Sequence, residues 1–226
     1  MSQSTAQQVS DDTVTAGEPP LEGLDAVALS ALLASRLCHD LINPVGALGS
    51  GLEVLEDESM DEFMKDEAVK LIKTSGSKSV VLLKYARLAY GAAGGRGAEL
   101  PIEEAEQILG ELFEWSKASL VWSVPPGHAL KEKVKTLLIM THYAADIVPR
   151  GGEVRVSQSG NEYVIEAEGK RAILQEDLSL ALAGHHDDMK PKFAPAYVAG
   201  LLARELGGEI TVARENDEKV VIRAVF

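Results

Sequence analysis

The sequence predicts an α plus α/β protein: an N-terminal antiparallel helical hairpin that forms a dimeric four-helix bundle, followed by an α/β sandwich. Three observations predict this class. Apolar residues repeat at helical spacing over 25–55 and again up to about residue 90. A glycine-rich stretch at 91–97 then interrupts the pattern. Beyond it, short strand patterns alternate with helical ones, which is typical of helices packed on a sheet.

The composition limits the classes of partner. With 226 residues and 46% hydrophobic content, the chain can bury a real core. Its net charge of −13 argues against nucleic acids and anionic membranes, which both attract basic surfaces. The single cysteine, Cys38, excludes an intrachain disulfide and suits a reducing compartment. No stretch approaches the roughly 20 apolar residues of a membrane span, and the first residues do not resemble a signal peptide. We therefore expect a cytoplasmic protein.

The N-terminal part divides into a tail and the hairpin. Residues 1–21 are rich in Ser, Thr, Gln, Asp and Gly, so we expect a disordered tail. The hairpin domain occupies 22–93, and the acidic stretch 56–61 connects its two helices. Two helices cannot cover both of their apolar faces alone. A second copy is the simplest remedy, which predicts a homodimer through about 25–90.

The second domain is expected over 97–226, after a hinge-like glycine linker. A proline with acids behind it predicts a helix start near 101, and paired glycines predict turns into strands. The predicted order is helix 101–118, strand 120–124, helix 130–148, strands 153–157 and 163–167, helices 176–183 and 195–206, and strands 209–214 and 219–225.

The most informative stretch is HDLINPVGAL at 39–48. It places an imidazole next to a carboxylate and an amide one turn further on, followed at once by Pro44. On a helix, one face at spacing i, i+4, i+7 and i+11 would be polar or small, while leucines repeat on the other faces. The residues of this face are His39, Asn43, Gly46 and Ser50. Such a face is suited to presenting an imidazole to a partner.

This stretch resembles the phospho-accepting box of dimeric histidine kinases, and His39, Asp40, Asn43 and Pro44 match it position by position. The second domain resembles the ATP-binding domain of the same kinases. Two segments carry that resemblance: 137–156, with a helix, a Pro-x-Gly-Gly turn and a strand, and 199–212, with a helix, a Gly-Gly turn and a strand. The resemblance spans about 22–226 and implies a histidine-kinase ATPase-like α/β sandwich.

The departures from the kinase pattern all fall in the nucleotide site. The magnesium-binding asparagine of kinases falls at Tyr143, and a common basic residue falls at Asp146. Ala167 stands where the adenine-reading aspartate belongs. The segment 192–197, which has no glycine, replaces the glycine-rich phosphate loop. These four losses predict a degenerate domain that does not bind ATP, and hence a chain with no cofactor of its own.

A phospho-accepting histidine that ATP cannot load must be loaded by another protein. In this combination the chain resembles the ChpT-type histidine phosphotransferases of alphaproteobacterial phosphorelays. The resemblance implies that the receiver domain of a hybrid histidine kinase donates a phosphoryl group to His39. His39 then passes it to the aspartates of response regulators, which in that family act in the cell cycle. The receiver supplies its own Mg²⁺, so no metal site is expected here.

The same resemblance gives roles to the catalytic candidates. His39 would be the phospho-acceptor, and Asp40 would hold the other ring nitrogen and its proton. Neighbouring helix residues diverge by about 100°, so this contact requires particular rotamers. Asn43 has two open interpretations. It could bond the transferring phosphoryl group or the receiver, or it could relieve a kink at Pro44.

Three more residues are candidates for partner binding. Gly46 and Ser50 would let the partner helix approach closely. Arg36, one turn before His39, would either pair with acidic residues of the receiver or remain a solvated surface charge. Cys38 could be a reactive thiol, but a small residue packed at the helix interface is the favoured interpretation.

Other functions remain as alternatives. Metal-dependent HD phosphohydrolases also contain His-Asp, but they need further histidines near the metal, and here the others lie in the second domain: His128, His142, His185 and His186. The run 185–188 (HHDD) is interpreted as a hydrated loop rather than a metal site. The main alternative is a non-catalytic pseudokinase scaffold that docks response regulators without being phosphorylated.

Overall fold

The computed structural model describes residues 23–92, 95 and 97–226. The tail expected over 1–21 lies outside these residues, as do three positions of the glycine linker. Two long helices come first, α1 (Ala26–Glu56) and α2 (Glu62–Tyr90), each within two residues of its predicted bounds. They are antiparallel neighbours, as expected. Gly51 of α1 is buried so close to Ile72 of α2 that a Cβ would lie 2.6 Å from that side chain.

An aspartate caps the N-terminus of each hairpin helix. The Asp25 carboxylate accepts hydrogen bonds from the backbone N–H groups of Val27 and Ala28, at 3.1 and 3.2 Å, and so caps α1. Asp61 caps α2 in the same way by accepting from Met64 N–H at 2.8 Å. These carboxylates accept hydrogen bonds from backbone N–H groups that have no partner within the first turn of a helix. Asp61, at the end of the acidic connector, therefore determines where α2 begins.

The second domain is a five-stranded sheet with helices packed on it. The strand order is β2-β4-β5-β7-β6; the β2–β4 pair is parallel and the other pairs are antiparallel. The elements are β1 (Glu99–Pro101), α3 (Ile102–Phe113), β2 (Ala118–Ser123), β3 (His128–Leu130), α4 (Lys131–Ile147), β4 (Gly152–Ser159), β5 (Glu162–Glu168), α5 (Glu176–Ala183), a 3-10 turn (Pro191–Phe193), α6 (Ala194–Glu205), β6 (Glu209–Arg214) and β7 (Lys219–Val225).

Two local features differ from the prediction. The strands β1 and β3 were not predicted, and they pair as a separate antiparallel ribbon of three residues each. The first helix of this domain was expected to reach 118, but α3 ends at Phe113. The backbone N–H groups of Trp115 and Ser116 bond carbonyls three residues earlier, which tightens the chain into a turn. Ala118 then already belongs to β2.

The helix α4 is the centre of the core. Its residues Leu137, Leu138 and Ile139 have no exposed area, and the helix contacts α2, α3, α6 and the sheet. The hydrophobic core is continuous with α2 of the hairpin through Leu82 and Tyr85. The second domain therefore packs directly against the hairpin.

Polar contacts reinforce this packing. Lys84 of α2 forms an ion pair with Glu111 of α3 at 3.0 Å. Lys135 and Lys131 of α4 donate hydrogen bonds to the carbonyls of Gly91 and Gly95 in the linker. The described linker residues that were expected to act as a hinge are thus tied to α4. None of the helices in the described part of the chain is long and apolar enough to cross a membrane.

Candidate functional site

The predicted motif borders a cleft between the hairpin and the second domain. The cleft has a volume of about 270 Å³. The hairpin supplies its polar rim, and α3, the turn after it and α4 supply the opposite wall. Its lining residues are Arg36, His39, Asp40, Asn43, Pro44, Lys78, Leu82, Leu112, Phe113, Trp115, Ser116, His142, Ala145 and Asp146.

His39 is a highly exposed residue of this cleft. Its side chain is 79% exposed, although it lies in the middle of α1. The Nδ1 atom is 3.4 Å from Oδ1 of Asp40, which is a long hydrogen bond. A neutral imidazole that donates from Nδ1 keeps the lone pair on Nε2. The contact with Asp40, which required particular rotamers, is therefore present, and Nε2 is available to a partner.

Asp40 is held from its other side by Arg36. The Nε–H of Arg36 donates to Oδ2 of Asp40 at 2.8 Å, in an i, i+4 ion pair whose side chains are only 15% and 19% exposed. Burial disfavours the charged guanidinium, but attraction to the Asp40 carboxylate and, more weakly, to Asp146 raises the pKa of Arg36 overall. The alternative of a solvated surface charge at Arg36 was wrong, because the side chain turns inward to its own carboxylate.

The rest of the predicted face is open to solvent. Asn43, Gly46 and Ser50 are all exposed, and a Cβ added at Gly46 would meet no atom within 4 Å. The Asn43 side chain makes no hydrogen bond to any residue that the structure describes, so the interpretation that it relieves a kink at Pro44 has no contact to support it. The helix α1 continues through Pro44, which is buried. The face can thus be approached along its whole length.

Residues of α4 complete the site, and the motif alone did not indicate them. His142, Tyr143 and Asp146 border a second small cavity together with Arg36 and Tyr90. Burial lowers the pKa of the His142 imidazole, and the ring packs edge-on against Tyr85 with centroids 4.5 Å apart. Burial also raises the pKa of Tyr143, whose hydroxyl has no hydrogen-bond partner among the described residues.

The structure also describes the surroundings of Cys38 and of the 185–188 run. Cys38 is exposed in the single chain, so it is not packed at the interface between α1 and α2. The 185–188 run borders a cavity of about 280 Å³ beside α5. Within the described ranges, no group of three or more histidines, cysteines or acidic residues is arranged to hold a metal ion.

Comparisons with known proteins agree with this geometry. Residues 102–218 match the model of the histidine phosphotransferase C-terminal domain. The protein phosphotransferase ChpT of Brucella abortus (strain 2308) is 35% identical over 195 residues, which cover 84% of this chain and 91% of that protein. A solved structure of a bacterial phosphotransferase matches with a TM-score of 0.78 and 32% identity, over 90% of this chain and 98% of that one.

These matches cover both the helical hairpin and the sandwich, and the identity to a named phosphotransferase extends over most of both chains. The chain belongs to the ChpT-type family of histidine phosphotransferases, and it is a phosphotransferase of a bacterial phosphorelay.

Proposed function

We propose that His39 is the residue that carries the phosphoryl group. It accepts the group from the receiver domain of a hybrid histidine kinase and delivers it to the aspartates of response regulators. One observation carries this proposal: the imidazole is 79% exposed, and among the residues that the structure describes its one hydrogen-bond contact is that of Nδ1 with Asp40. The reactive Nε2 atom therefore faces the space that a receiver would occupy.

The chemistry needs only groups that the two proteins supply. The Nε2 lone pair of His39 attacks the phosphorus of the aspartyl phosphate, the N–P bond forms, and the bond from phosphorus to the carboxylate oxygen breaks. The proton on Nδ1 stays in place, so the ring becomes positively charged as the N–P bond forms. The Asp40 carboxylate at 3.4 Å stabilises that charge. Delivery to the next aspartate is the same step in reverse.

Loading from a receiver rather than from ATP is supported by the altered nucleotide region. The space between α4, the segment after β5 and the 3-10 turn holds only about 10 Å³, bordered by Tyr143, Ile173 and Phe193 among others. Cofactor sites usually have volumes of about 300–1,000 Å³. Ala167 is fully buried within β5, paired with Val154 and Val220, instead of lying in a loop. A chain built this way takes phosphate from another protein.

Assembly as a homodimer is part of the same proposal. The hairpin exposes large apolar side chains on both helices, including Val80 and Leu83 of α2, which are 53% and 49% exposed. An apolar groove of about 360 Å³ runs between the helices, lined by Leu33, Ala34, Leu37, Leu83, Ala86, Arg87, Tyr90 and Gly91. A second copy of the hairpin would cover these surfaces in a four-helix bundle.

The receiver is proposed to dock across the cleft and the open face of α1. Asn43 faces the transferring phosphoryl group, and Gly46 and Ser50 leave room for a helix of the receiver. Lys78 of α2 lines the cleft and has no ion pair among the described residues, so it can attract an acidic receiver. The second domain supplies the wall that broadens this interface. We place the relay in the cytoplasm and, from the family resemblance, in cell-cycle signalling.

Two parallel incubations test this function. The wild-type protein is exposed to labelled Mg-ATP alone, and separately to a receiver carrying labelled aspartyl phosphate. We expect label only in the second incubation, with no label on His39→Gln and normal labelling of Cys38→Ser, the matched change at the neighbouring exposed residue. Labelling by ATP alone would contradict the proposal. A receiver that binds but transfers no phosphate would favour the pseudokinase scaffold instead.

A further inference from the structure

We infer that Arg36 is a positioning residue for phosphoryl transfer: it orients Asp40 so that the His39 Nε2 atom stays free for the receiver, and the second domain holds Arg36 in place. This inference rests on the proposed role of His39. It gives Arg36 a role within its own chain, in place of the receiver contact predicted from the sequence. It also gives the second domain a part in the chemistry as well as in docking.

The contacts form a short chain from Arg36 to the imidazole. Arg36 Nε donates to Oδ2 of Asp40 at 2.8 Å, and Oδ1 of the same carboxylate lies 3.4 Å from His39 Nδ1. Each oxygen of Asp40 therefore has one neighbour. A hydrogen bond to one ring nitrogen of a histidine determines which nitrogen carries the proton. Asp40 thus keeps the proton on Nδ1, and Arg36 acts on His39 only through Asp40.

Asp40 needs an external constraint to do this. Adjacent residues on a helix point about 100° apart, so the carboxylate does not face the His39 ring by default. An aspartate without a partner would also exchange between staggered rotamers. Arg36 lies one turn earlier, where i, i+4 side chains meet, and its planar guanidinium is a directional donor. The ion pair selects the one arrangement in which Oδ1 reaches the imidazole.

Arg36 in turn is enclosed by the second domain. Its side chain is 15% exposed, although it belongs to the outer helix of the hairpin. It borders a cavity of only about 10 Å³ together with Tyr90, His142, Tyr143, Asp146 and Pro195. The Asp146 carboxylate of α4 adds to the electrostatic attraction on the guanidinium.

A buried guanidinium requires a charged partner, and at hydrogen-bond distance Asp40 is its carboxylate partner within the described residues. The α4 wall therefore keeps Arg36 from leaving Asp40 for solvent. In this way the second domain helps to determine the orientation of the His39 ring, through Arg36 and Asp40.

The experiment uses the full-length protein with ¹⁵N-labelled histidine. We compare wild type with Arg36→Met, Asp40→Asn and the double variant, and use Arg155→Met as the matched control, since Arg155 is 54% exposed on β4. Three quantities are measured for each protein: the tautomer of His39, the rate of transfer from a phosphorylated receiver, and the affinity for that receiver. Circular dichroism and sedimentation confirm that each variant is folded and assembled as the wild type is.

Arg36→Met and Asp40→Asn should each slow transfer by about 10- to 100-fold, as the loss of an orienting partner does at other sites. Both should shift His39 away from the Nδ1–H tautomer, and receiver affinity should stay within about twofold of wild type. The double variant should be no slower than Asp40→Asn, because both changes break the same chain of contacts. Arg155→Met should match wild type in all three measurements.

Three results would overturn the inference: losses that multiply in the double variant, an unchanged His39 tautomer in Arg36→Met, or a fall in receiver affinity as large as the fall in rate. The last would make Arg36 a receiver contact. If wild type takes no phosphate at all, the proposed function fails, while the tautomer still tests Arg36. If Arg36→Met does not fold, hydrogen exchange at Arg36 Nε decides. It should be slow in wild type and faster in Asp40→Asn, and equal rates would overturn the inference.

Discussion

The helical hairpin and the second domain differ in how they bury their apolar residues. In the second domain most of α4 is buried, and Leu137, Leu138 and Ile139 have no exposed area. In the hairpin, large apolar residues such as Leu52, Phe63 and Leu83 are between 49% and 68% exposed. The second domain completes its own core with the help of α2, whereas the hairpin leaves apolar surface exposed, which the proposed second copy would cover.

The predicted loss of ATP binding has a counterpart in this difference. The positions that resemble nucleotide ligands in kinases now serve packing: Tyr143 is buried beside Arg36, and Ala167 lies in the sheet. His39 of the hairpin is exposed, while Arg36 beside it borders residues of the second domain.

The shared core predicts that the two regions unfold together. Leu138→Ala removes a side chain with no exposed area from α4, so we expect a loss of about 2–5 kcal/mol in the free energy of unfolding. Urea titration followed by both tryptophan fluorescence and helical circular dichroism should show one coincident transition. Leu201→Ala, at a residue that is 39% exposed on α6, is the control and should cost well under about 1 kcal/mol. Separate transitions would mean that the hairpin does not depend on the second domain.

The exposed hairpin surface predicts a dimer that one charge can break. Leu83→Glu places a carboxylate in the groove that a second copy would cover, and it should weaken dimerisation by about 100-fold or more. Sedimentation at micromolar concentration measures the change, with Leu201→Glu on the second domain as the matched control. A wild-type protein that sediments as a monomer would contradict the proposed four-helix bundle, and so would a Leu83→Glu variant that remains dimeric.

The cleft predicts a smaller electrostatic effect on docking. Lys78→Glu reverses a charge on the hairpin side of the cleft and should weaken receiver binding by about 3- to 10-fold at low salt, mainly through slower association. Lys170→Glu makes the same change at an exposed position after β5 and should have no comparable effect. Equal losses in both variants would indicate a response to net charge rather than to the cleft.

The smallest effect concerns pH. Burial lowers the pKa of His142 in the folded chain, so the unfolded chain binds the proton more readily. Stability from this group is complete above the ordinary histidine pKa of about 6.5 and is lost as the pH falls below it. Between about pH 7.5 and pH 5.5, wild type should lose on the order of 1 kcal/mol more than His142→Phe. Parallel stability curves for the two proteins would show that His142 does not contribute.

The sequence predicted the long elements well for a physical reason. The hairpin helices extend over many turns, so their periodic apolar pattern marks them. The ribbon of β1 and β3 has three residues per strand, too few for an alternating pattern to be recognised. The end of α3 depends on a turn around Trp115 and Ser116, which helix propensity does not reveal.

The site was predictable only in part. His39, Asp40, Asn43, Gly46 and Ser50 were indicated by one contiguous motif, and the structure places them on or beside a single accessible face. Their roles in transfer stay predictions.

The orientation of Arg36 was not predictable from the motif, because its surroundings come from Tyr143 and Asp146, more than 100 positions along the chain. A long charged side chain on a hairpin is expected at the surface until the domain that covers it is known.

The most direct test of the proposed role of His39 is to find which ring nitrogen carries the phosphoryl group. After transfer from a phosphorylated receiver, ³¹P and ¹⁵N NMR of the full-length protein identifies the nitrogen that bears the phosphorus. Asp40 contacts Nδ1, and the His39 side chain is largely exposed. We therefore expect a phosphoramidate at Nε2 of His39, with the proton retained on Nδ1. A phosphoryl group at Nδ1, or on any residue other than His39, would contradict it.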